Sequence, residues 1–155
     1  MAKGAREYKR DGRAPIPKSE STSRIMSANR GKNTTPEILL RQTMRKLGIM
    51  GYRLHWKKVP GHPDISFVRR KVAVFVNGCF WHRCPYCSLS LPKSHSKFWH
   101  DKFERNVERD ARKISQLKEL DWQVLVAWEC QIKDDAAKLA KMINALLTSK
   151  KSGKK

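Results

Sequence analysis

Three of the four cysteines of this chain lie between Gly78 and Cys87, in the stretch G-C-F-W-H-R-C-P-Y-C. The spacing Cys79-x4-Cys84-x2-Cys87 contains a C-x-x-C pair, which is a common half-site for zinc. The fourth cysteine, Cys130, is expected at the end of a strand with the sequence W-Q-V-L-V-A-W-E-C. Four thiolates fill the tetrahedral shell of Zn²⁺ and leave no position for water. The four cysteines therefore predict a structural zinc site.

The same cysteines allow two other interpretations, a disulfide pair and a redox-active C-x-x-C. The basic N-terminus is not followed by the apolar segment of a secretory signal, so we expect a reducing, cytoplasmic location. Disulfides are rare in such a compartment. Either interpretation also leaves Cys79 and Cys130 without a role, and zinc is the interpretation that we favour.

A histidine, His82, stands inside the cysteine loop and has no place in a four-cysteine zinc site. A lone histidine is usually a satisfied surface or core residue, but three carboxylates are expected to converge on this one. Asp64 opens a predicted strand, where many nucleases carry a Mg²⁺-binding aspartate. Asp110 lies on the apolar stripe of a predicted long helix, seven residues after Phe103. Glu37 likewise faces inward from the first predicted helix.

Each inward carboxylate could instead form a buried ion pair with one of the many arginines. Three acids and a histidine together favour catalysis, because an acid can orient a histidine and the histidine can take a proton from an attacking water. Phosphodiester hydrolysis needs such a water and a cation on the phosphate. The acid-x-lysine that nucleases usually carry on the next strand is absent from Phe75-Val76-Asn77. A histidine base from the following loop is a reasonable substitute.

The charge of the chain indicates its partner. Lysine and arginine number 34 against 14 aspartate and glutamate, which gives a net charge of +20. A polyanion, most simply a nucleic acid, is the expected partner, and a ribosome-associated or merely soluble basic protein is the alternative. The longest apolar runs, such as Val72–Val76, are too short to cross a bilayer. We therefore expect a protein that does not engage a membrane, and we further expect a monomer.

The elements that position these residues can be predicted from periodicity and turn signals. Two loose basic segments, residues 1–33 (a flexible arm) and 149–155, flank one domain over residues 34–148. Within the domain we predict helices at 34–48, 98–120 and 134–147, and strands at 52–56, 65–68, 72–76 and 122–128. The residues 69–71 between two strands read as a hairpin turn. This order is a mixed-sheet α/β plan.

Apolar residues at helical spacing predict the buried faces of the helices. The first helix begins with the signal Thr34-Thr35-Pro36-Glu37, and Gly48 suits its C-terminal cap. Its stripe comprises Leu40, Met44 and Leu47. The stripe of the long helix comprises Phe103, Val107, Ile114, Leu117 and Leu120.

These motifs together resemble the very short patch repair (Vsr) endonuclease family. The resemblance rests on P-G-H-P-D, G-C-F-W-H, the later F-W and N-V-E-R-D, and the closing W-E-C, and covers about residues 23–130. It implies a restriction-endonuclease-like core, with a mixed central sheet flanked by helices and a structural zinc site. It also implies a Mg²⁺-dependent DNA repair enzyme. Such an enzyme nicks double-stranded DNA beside a T·G mismatch left by deamination of 5-methylcytosine.

Carried over residue by residue, the resemblance gives each candidate a role in catalysis. Asp64 becomes the magnesium carboxylate, and the main-chain carbonyl of Val76 becomes a second magnesium ligand. His82 becomes the general base, oriented by Asp110, and Glu37 becomes a supporting acid near the site. The resemblance assigns the structural zinc to Cys79, Cys84, Cys87 and Cys130.

The resemblance also implies which residues contact DNA. Phe80, Trp81 and Trp99 match an aromatic wedge that enters next to the mismatch from the major-groove side. Asn106 matches a polar residue near the mismatched pair, and Met26 an apolar residue of the arm that enters the minor groove. A T·G wobble pair stacks poorly, so opening it costs little free energy, and a wedge of aromatic side chains could enter beside it. Core packing is the other interpretation of Phe80 and Trp81.

The chain departs from the family pattern at a few positions. Cys84 stands where the family often has a histidine zinc ligand, and the spacing to the next cysteine is one residue longer. Asn77 replaces a histidine often found before the Gly-Cys pair. Asn29 replaces an apolar residue of the arm. These departures concern substrate detail and leave the predicted reaction class unchanged.

Two other functions are compatible with the same residues. A related site-specific or homing endonuclease could use this scaffold on paired DNA. A zinc-stabilised DNA-binding module without catalysis is disfavoured, because both Asp64 and His82 are present. For the favoured function we expect a nucleoid-associated enzyme, with mismatch-repair proteins as further candidate partners.

Overall fold

One sheet and four helices position the candidate residues in the computed structural model, which describes residues 15–149 of the chain. The helices are α1 (Glu20–Ser27), α2 (Thr35–Lys46), α3 (Ser96–Glu119) and α4 (Glu129–Thr148). The strands are β1 (Arg53–Leu54), β2 (Ile65–Phe67), β3 (Val72–Asn77) and β4 (Gln123–Trp128). No helix among these residues has both the length and the apolar character that crossing a bilayer requires.

The four strands form a mixed sheet in the order β1-β2-β3-β4. The first two pairs are antiparallel, and β3 and β4 are parallel. A parallel pair needs a long crossover connection, and the segment that contains α3 supplies it. The predicted mixed α/β architecture, with a sheet flanked by helices, is confirmed.

Helices cover both faces of the sheet because its central strand is apolar on both. Val72 and Val74 of β3 belong to the core that also contains Leu40 of α2. Ala73, between them, belongs to a second core cluster with Leu117 of α3. Successive side chains of a strand point to opposite faces, so the continuous apolar run Val72–Val76 of β3 is typical of a strand that is covered on both faces.

The predicted start of α2 is confirmed. Thr34 is the N-cap residue, and its hydroxyl accepts a hydrogen bond from the backbone N–H of Glu37. Pro36 lies in the first turn, where its missing N–H costs nothing. The helix ends at Lys46, and Gly48 follows with a φ of 73°, a left-handed conformation that glycine adopts readily.

Three residues of the predicted apolar stripes are exposed, so their prediction as buried was wrong: Leu47, Val107 and Leu120. Leu47 and Leu120 are the C-cap residues of α2 and α3, where the chain leaves the helical path. Val107 lies between two covered regions of α3, around Phe103 and Leu117. A helical period identifies the apolar face of a helix, but not which turns of that face are covered.

The strands at the start of the domain also differ in length from the prediction. The hairpin turn is confirmed: a 3₁₀ helix (Val68–Arg70) is followed by Lys71 in the left-handed region at φ 51°. The predicted strand at 52–56 is reduced to the two residues of β1. His55, which follows it, has a φ of 46° and therefore leaves the extended path.

The last helix begins five residues earlier than predicted and is kinked. Asp135 has φ −151° and ψ 84° inside α4, and its carboxylate accepts a hydrogen bond from the N–H of Lys138 at 3.0 Å. Asp135 therefore caps a second helical segment close to the predicted start at residue 134. Consequently Cys130 lies in the first turn of α4 and not at the end of a strand.

The segment predicted to be a flexible arm contains α1, an exposed helix that the sequence analysis did not predict. Its weak apolar periodicity gave no signal for a helix. Residues 1–14 and 150–155 lie outside the described residues. The division into an arm, a domain and a tail stays a prediction.

Candidate active site and metal centre

The four cysteines form one cluster. Their Sγ atoms all lie within 4.8 Å of one another, and all four are free thiols. The Sγ atoms of Cys84 and Cys130 are 3.7 Å apart, close to the separation of about 3.8 Å expected for two thiolates on one tetrahedral zinc ion. The donor set therefore fits zinc, and the structure contains no disulfide among these residues.

Strand pairing brings the cysteines together. In the parallel pair, Asn77 at the end of β3 lies opposite Trp128 at the end of β4. The cysteine loop leaves β3 at this point, and Cys130 follows β4 two residues later. Two backbone N–H groups donate hydrogen bonds to the sulfur atoms, that of Cys130 to Cys79 and that of Tyr86 to Cys84, both at 3.4 Å. Such N–H groups stabilise thiolates.

His82 and Asp110 form a close pair. His82 lies in the turn that begins at Gly78, and its Nδ1 is 2.5 Å from Oδ2 of Asp110 on α3. The side chains are partly buried, with 26% and 19% of their surfaces exposed. An imidazole whose Nδ1 faces a carboxylate has its orientation fixed and presents Nε2 on its other side.

Asp64 lies immediately before β2 and is anchored to β3. Its Oδ2 accepts a hydrogen bond from the N–H of Val76 at 2.7 Å. Burial raises the pKa of Asp64 from 3.8 to about 6, and the nearby Glu37 carboxylate contributes in the same direction. A buried carboxylate of this kind gains most from a cation that compensates its charge.

Glu37 is also buried, but its carboxylate serves the start of α2. One oxygen accepts a hydrogen bond from the N–H of Asn33 at 3.0 Å, and the other from the hydroxyl of Thr34 at 3.1 Å. This arrangement is a variant of the capping box. Glu37 does not contact His82 directly in the structure.

His55 joins Glu37 to Asp64, and the sequence analysis missed it. Its Nε2 is 3.5 Å from Oε2 of Glu37, and its Nδ1 is 3.6 Å from Oδ1 of Asp64. Burial lowers the pKa of His55, although Glu37 acts in the opposite direction. The only available signal was a histidine within the short strand predicted at residues 52–56. Its partners could be identified only from the pairing of that strand.

A single open cleft of about 950 Å³ connects these groups. Asp64, His82 and Asp110 line it together with the segment 28–37 and basic residues. The basic residues that line the cleft are Arg30, Lys32, Lys57, Lys113 and Lys133. Carboxylates surrounded by cationic side chains suit a metal-dependent reaction on a polyanion.

Lys113 is a second residue that the sequence analysis missed. A side chain on Gly61 would lie 2.9 Å from the Cβ of Lys113, so the lysine stem occupies the space that this glycine leaves free. The positive charge of Lys113 also acts to lower the pKa of Asp64. Lys113 therefore places a cationic group near the candidate catalytic residues.

The predicted wedge residues belong to an aromatic cluster. The ring centroids of Phe80 and Trp81 are 5.1 Å apart, and Trp99 lies 5.9 Å from each of them. Phe80 and Trp81 are partly exposed, whereas only 8% of the Trp99 surface is exposed. Trp81 lines the cleft. The side-chain amide of Asn106 donates a hydrogen bond to the carbonyl of Trp81 at 3.0 Å, which fixes this loop on α3.

Comparison with known proteins identifies the family. The sequence model described as "DNA mismatch endonuclease Vsr" matches residues 16–87. The chain is 41% identical over 122 residues to the type II nicking enzyme V.XorIIP of Xanthomonas oryzae, covering 79% of this chain and 89% of that protein. It is 33% identical over 120 residues to the DNA mismatch endonuclease Vsr of Escherichia coli, covering 77% of this chain and 76% of that protein. The chain belongs to the Vsr endonuclease family.

Membership of the Vsr family confirms several predictions in their general form. The protein has the restriction-endonuclease-like fold, and it is an endonuclease, a hydrolase of phosphodiester bonds in DNA. DNA is its partner. Another relative, the type II nicking enzyme V.NaeI of Lentzea aerocolonigenes, is 42% identical over 130 residues and covers 81% of this chain and 77% of that protein.

One predicted DNA contact of this Vsr-family protein cannot be located in the structure. Met26 belongs to α1, but its side chain lies outside the described residues. Its neighbour Ile25 is largely exposed. The segment that follows α1, residues 28–33, lines the cleft. The N-terminal segment therefore reaches the candidate active site.

Proposed function

We propose that this Vsr-family endonuclease nicks one strand of double-stranded DNA next to a T·G mismatch in a Mg²⁺-dependent reaction. Through this nick it would start the very short patch repair of deaminated 5-methylcytosine, in the nucleoid of a reducing cytoplasm. The observation that supports the proposal most is the cleft itself. Asp64, the His82–Asp110 pair and the partly exposed Trp81 all line it.

His82 is the general base in this proposal. Asp110 holds Nδ1 of the ring, so Nε2 can take the proton from the water that attacks the phosphorus. The Asp110 carboxylate also stabilises the imidazolium that this proton transfer creates. His82 is therefore the residue that activates the water, and Asp110 is a positioning residue.

Asp64 and the main-chain carbonyl of Val76 would hold the catalytic Mg²⁺. The fit rests on the buried Asp64 carboxylate, which lies near a second acid, Glu37, and whose charge is poorly compensated. A bound Mg²⁺ supplies neutralisation of the charge that develops on the scissile phosphate. Glu37, whose carboxylate also accepts the hydrogen bonds at the start of α2, would be a supporting acid near the site.

Structural zinc is proposed for the cysteine cluster. Cys79 and Cys84 are buried, and the four sulfur atoms provide a complete tetrahedral shell. Zinc would fasten the loop that carries both His82 and Trp81 to the first turn of α4. Its role would therefore be to position the general base and the aromatic residues together.

Phe80 and Trp81 would recognise the mismatch by stacking against destabilised bases. Both are partly exposed, and the buried Trp99 packs against them as a support. Trp99 can enter DNA only if this packing opens. Asn106 would act near the mismatch through the loop that it fixes, and Met26 would contact the minor groove from the arm.

A second candidate is site-specific nicking of fully paired DNA. It is favoured by several relatives that are named as type II nicking enzymes. The two candidates share the cleft and the reaction, and they differ only in the DNA that is accepted.

A nicking assay separates the candidates. A T·G duplex and the corresponding T·A and C·G duplexes are each incubated with the protein, with Mg²⁺ and without it. The proposal predicts one nick, in the strand that contains the mismatched T, and only with Mg²⁺. Equal nicking of paired duplexes would support the second candidate, and cleavage without any divalent cation would refute the proposed mechanism.

A further inference from the structure

We infer that His55 is a ligand of the catalytic cation and that the Glu37–His55–Asp64 triad binds Mn²⁺ more tightly than Mg²⁺. The inference rests on the proposed function in one respect, because it concerns the same cation site. It adds the His55 nitrogen, the Glu37 carboxylate and a metal preference to that site.

The geometry of the triad carries the inference. One donor atom from each of the three side chains lies within 4.8 Å of the other two. The Nε2 atom of His55 is buried and has no hydrogen-bond partner among the described residues. A buried polar atom without a partner is costly. A cation between Glu37, His55 and Asp64 would satisfy the imidazole and compensate both carboxylates.

The backbone places His55 at this position. Its N–H donates a hydrogen bond to the carbonyl of Asp64 at 3.1 Å, in continuation of the pairing between β1 and β2. The imidazole is thereby held beside the carboxylate of the same residue. The unpartnered Nε2 is 3.5 Å from Oε2 of Glu37, too far for a strong hydrogen bond, and one carboxylate oxygen of Asp64 completes a set of donors close enough to share one ion.

The chemistry of the donors decides the preferred metal. Mg²⁺ prefers oxygen ligands in a strict octahedral shell. Imidazole binds first-row transition metals better than it binds Mg²⁺. Mn²⁺ is the member of that row that also suits carboxylate ligands. A site with two carboxylates and one imidazole should therefore discriminate in favour of Mn²⁺, and removal of the imidazole should reduce this discrimination.

The test measures metal binding without DNA and without turnover. The full-length protein, with its zinc content determined, is titrated with Mn²⁺ while the free hydrated ion is followed by electron paramagnetic resonance, and Mg²⁺ affinity is measured by competition. The variant is His55→Gln, which keeps a polar side chain. His62→Gln, on the rim of the same cleft, and His100→Gln, in the exposed group with Asp101 and Glu104, are matched controls.

The inference predicts that His55→Gln weakens Mn²⁺ binding by at least about tenfold and Mg²⁺ binding by less. The two control variants should match the parent, and Asp64→Asn should also lose the ion. A pulsed resonance spectrum of the Mn²⁺-loaded parent should show coupling to a histidine nitrogen, which tests the ligand even if a variant folds poorly. That coupling should disappear in His55→Gln.

Three outcomes would overturn the inference: an unchanged ratio of Mn²⁺ to Mg²⁺ affinity in His55→Gln, a parent spectrum without nitrogen coupling, or Mn²⁺ binding that is indifferent to Asp64→Asn. Failure of the proposed function looks different. If the protein nicked only paired DNA while the binding results held, the T·G proposal would fail and the role of His55 would stand.

Discussion

The buried carboxylate of Asp64 should destabilise the fold at neutral pH when no divalent cation occupies the site. Burial raises its pKa from 3.8 to about 6. Between these values the folded protein binds more protons than the unfolded chain, so stability decreases as the pH rises through this window. One pKa unit corresponds to about 1.4 kcal/mol. The full penalty above pH 6 is therefore roughly 3 kcal/mol, and it is absent below pH 4.

Asp64→Asn removes this penalty while an oxygen remains to accept the hydrogen bond from Val76. We expect the variant to be more stable than the parent by about 1–3 kcal/mol at pH 7.5 and by about a third of that difference at pH 4.5. Urea unfolding followed by circular dichroism measures this difference, in buffer free of Mg²⁺ but without a chelator, which would strip zinc. Addition of Mg²⁺ should stabilise the parent and not the variant.

Asp134→Asn, at an exposed carboxylate of α4, is the matched control and should show no pH-dependent difference of this size. The reasoning would be refuted if Asp64→Asn were less stable than the parent at pH 7.5. A stability difference that stayed the same from pH 4.5 to 7.5 would refute it as well, because the predicted effect comes from ionisation.

Three further predictions concern the zinc, the wedge and the arm. Cys84→Ser should lose zinc and cost several kcal/mol of folding stability, because metal binding and folding are coupled; a purified protein without zinc, or a Tm unaffected by chelation, would contradict this. Trp81→Ala should weaken binding to T·G DNA by roughly 1–3 kcal/mol and binding to paired DNA much less, and equal losses would show that Trp81 only packs. Deletion of residues 1–20 should reduce the salt dependence of DNA binding and leave the preference for T·G DNA unchanged. If the deletion abolished that preference, the arm itself would recognise the mismatch.

Local patterns in the sequence were sufficient where a short segment determines its own conformation. The Thr34 cap and the proline behind it specify the start of α2 through backbone hydrogen bonds within one turn. The cysteine spacing likewise predicted a cluster, and only the position of Cys130 in α4 was missed. The cap of α2 depends on residues that are close in sequence. The cysteine cluster was predictable because four cysteines with a C-x-x-C pair have few functions other than metal binding.

Features that depend on distant partners could not be predicted. His55 reaches the site for two reasons: β1 pairs with β2, and the chain leaves the extended path at His55 itself, which has a left-handed conformation. The sequence of a two-residue strand predicts neither its pairing partner nor the point at which it ends. The exposure of Val107 depends on where α3 crosses the sheet. The stem of Lys113, whose charge acts on Asp64, occupies the space beside Gly61, which is far away in sequence.

At the kink in α4, the apolar periodicity of a single helix competes with the tendency of Asp135 to cap a new helical segment, and periodicity alone does not predict which prevails. The apolar pattern fits one helix, but Asp135 favours a cap and its carboxylate binds a backbone N–H of the next turn. The sequence analysis detected the second segment and missed the first. That first turn carries Cys130, so the error affected the site and not only a helix boundary.

The central claim is that His82, oriented by Asp110, activates the water that cleaves DNA beside a T·G mismatch. The most direct test is the single-turnover nicking rate of His82→Ala on a T·G duplex with Mg²⁺, in a preparation whose zinc content and Tm match the parent. The account predicts a rate about 10²–10⁴-fold below the parental rate, a smaller loss for Asp110→Asn, and no detectable nicking for Asp64→Ala. A folded, zinc-containing His82→Ala variant that nicked T·G DNA at the parental rate would contradict the account and direct the search for the base to Glu37.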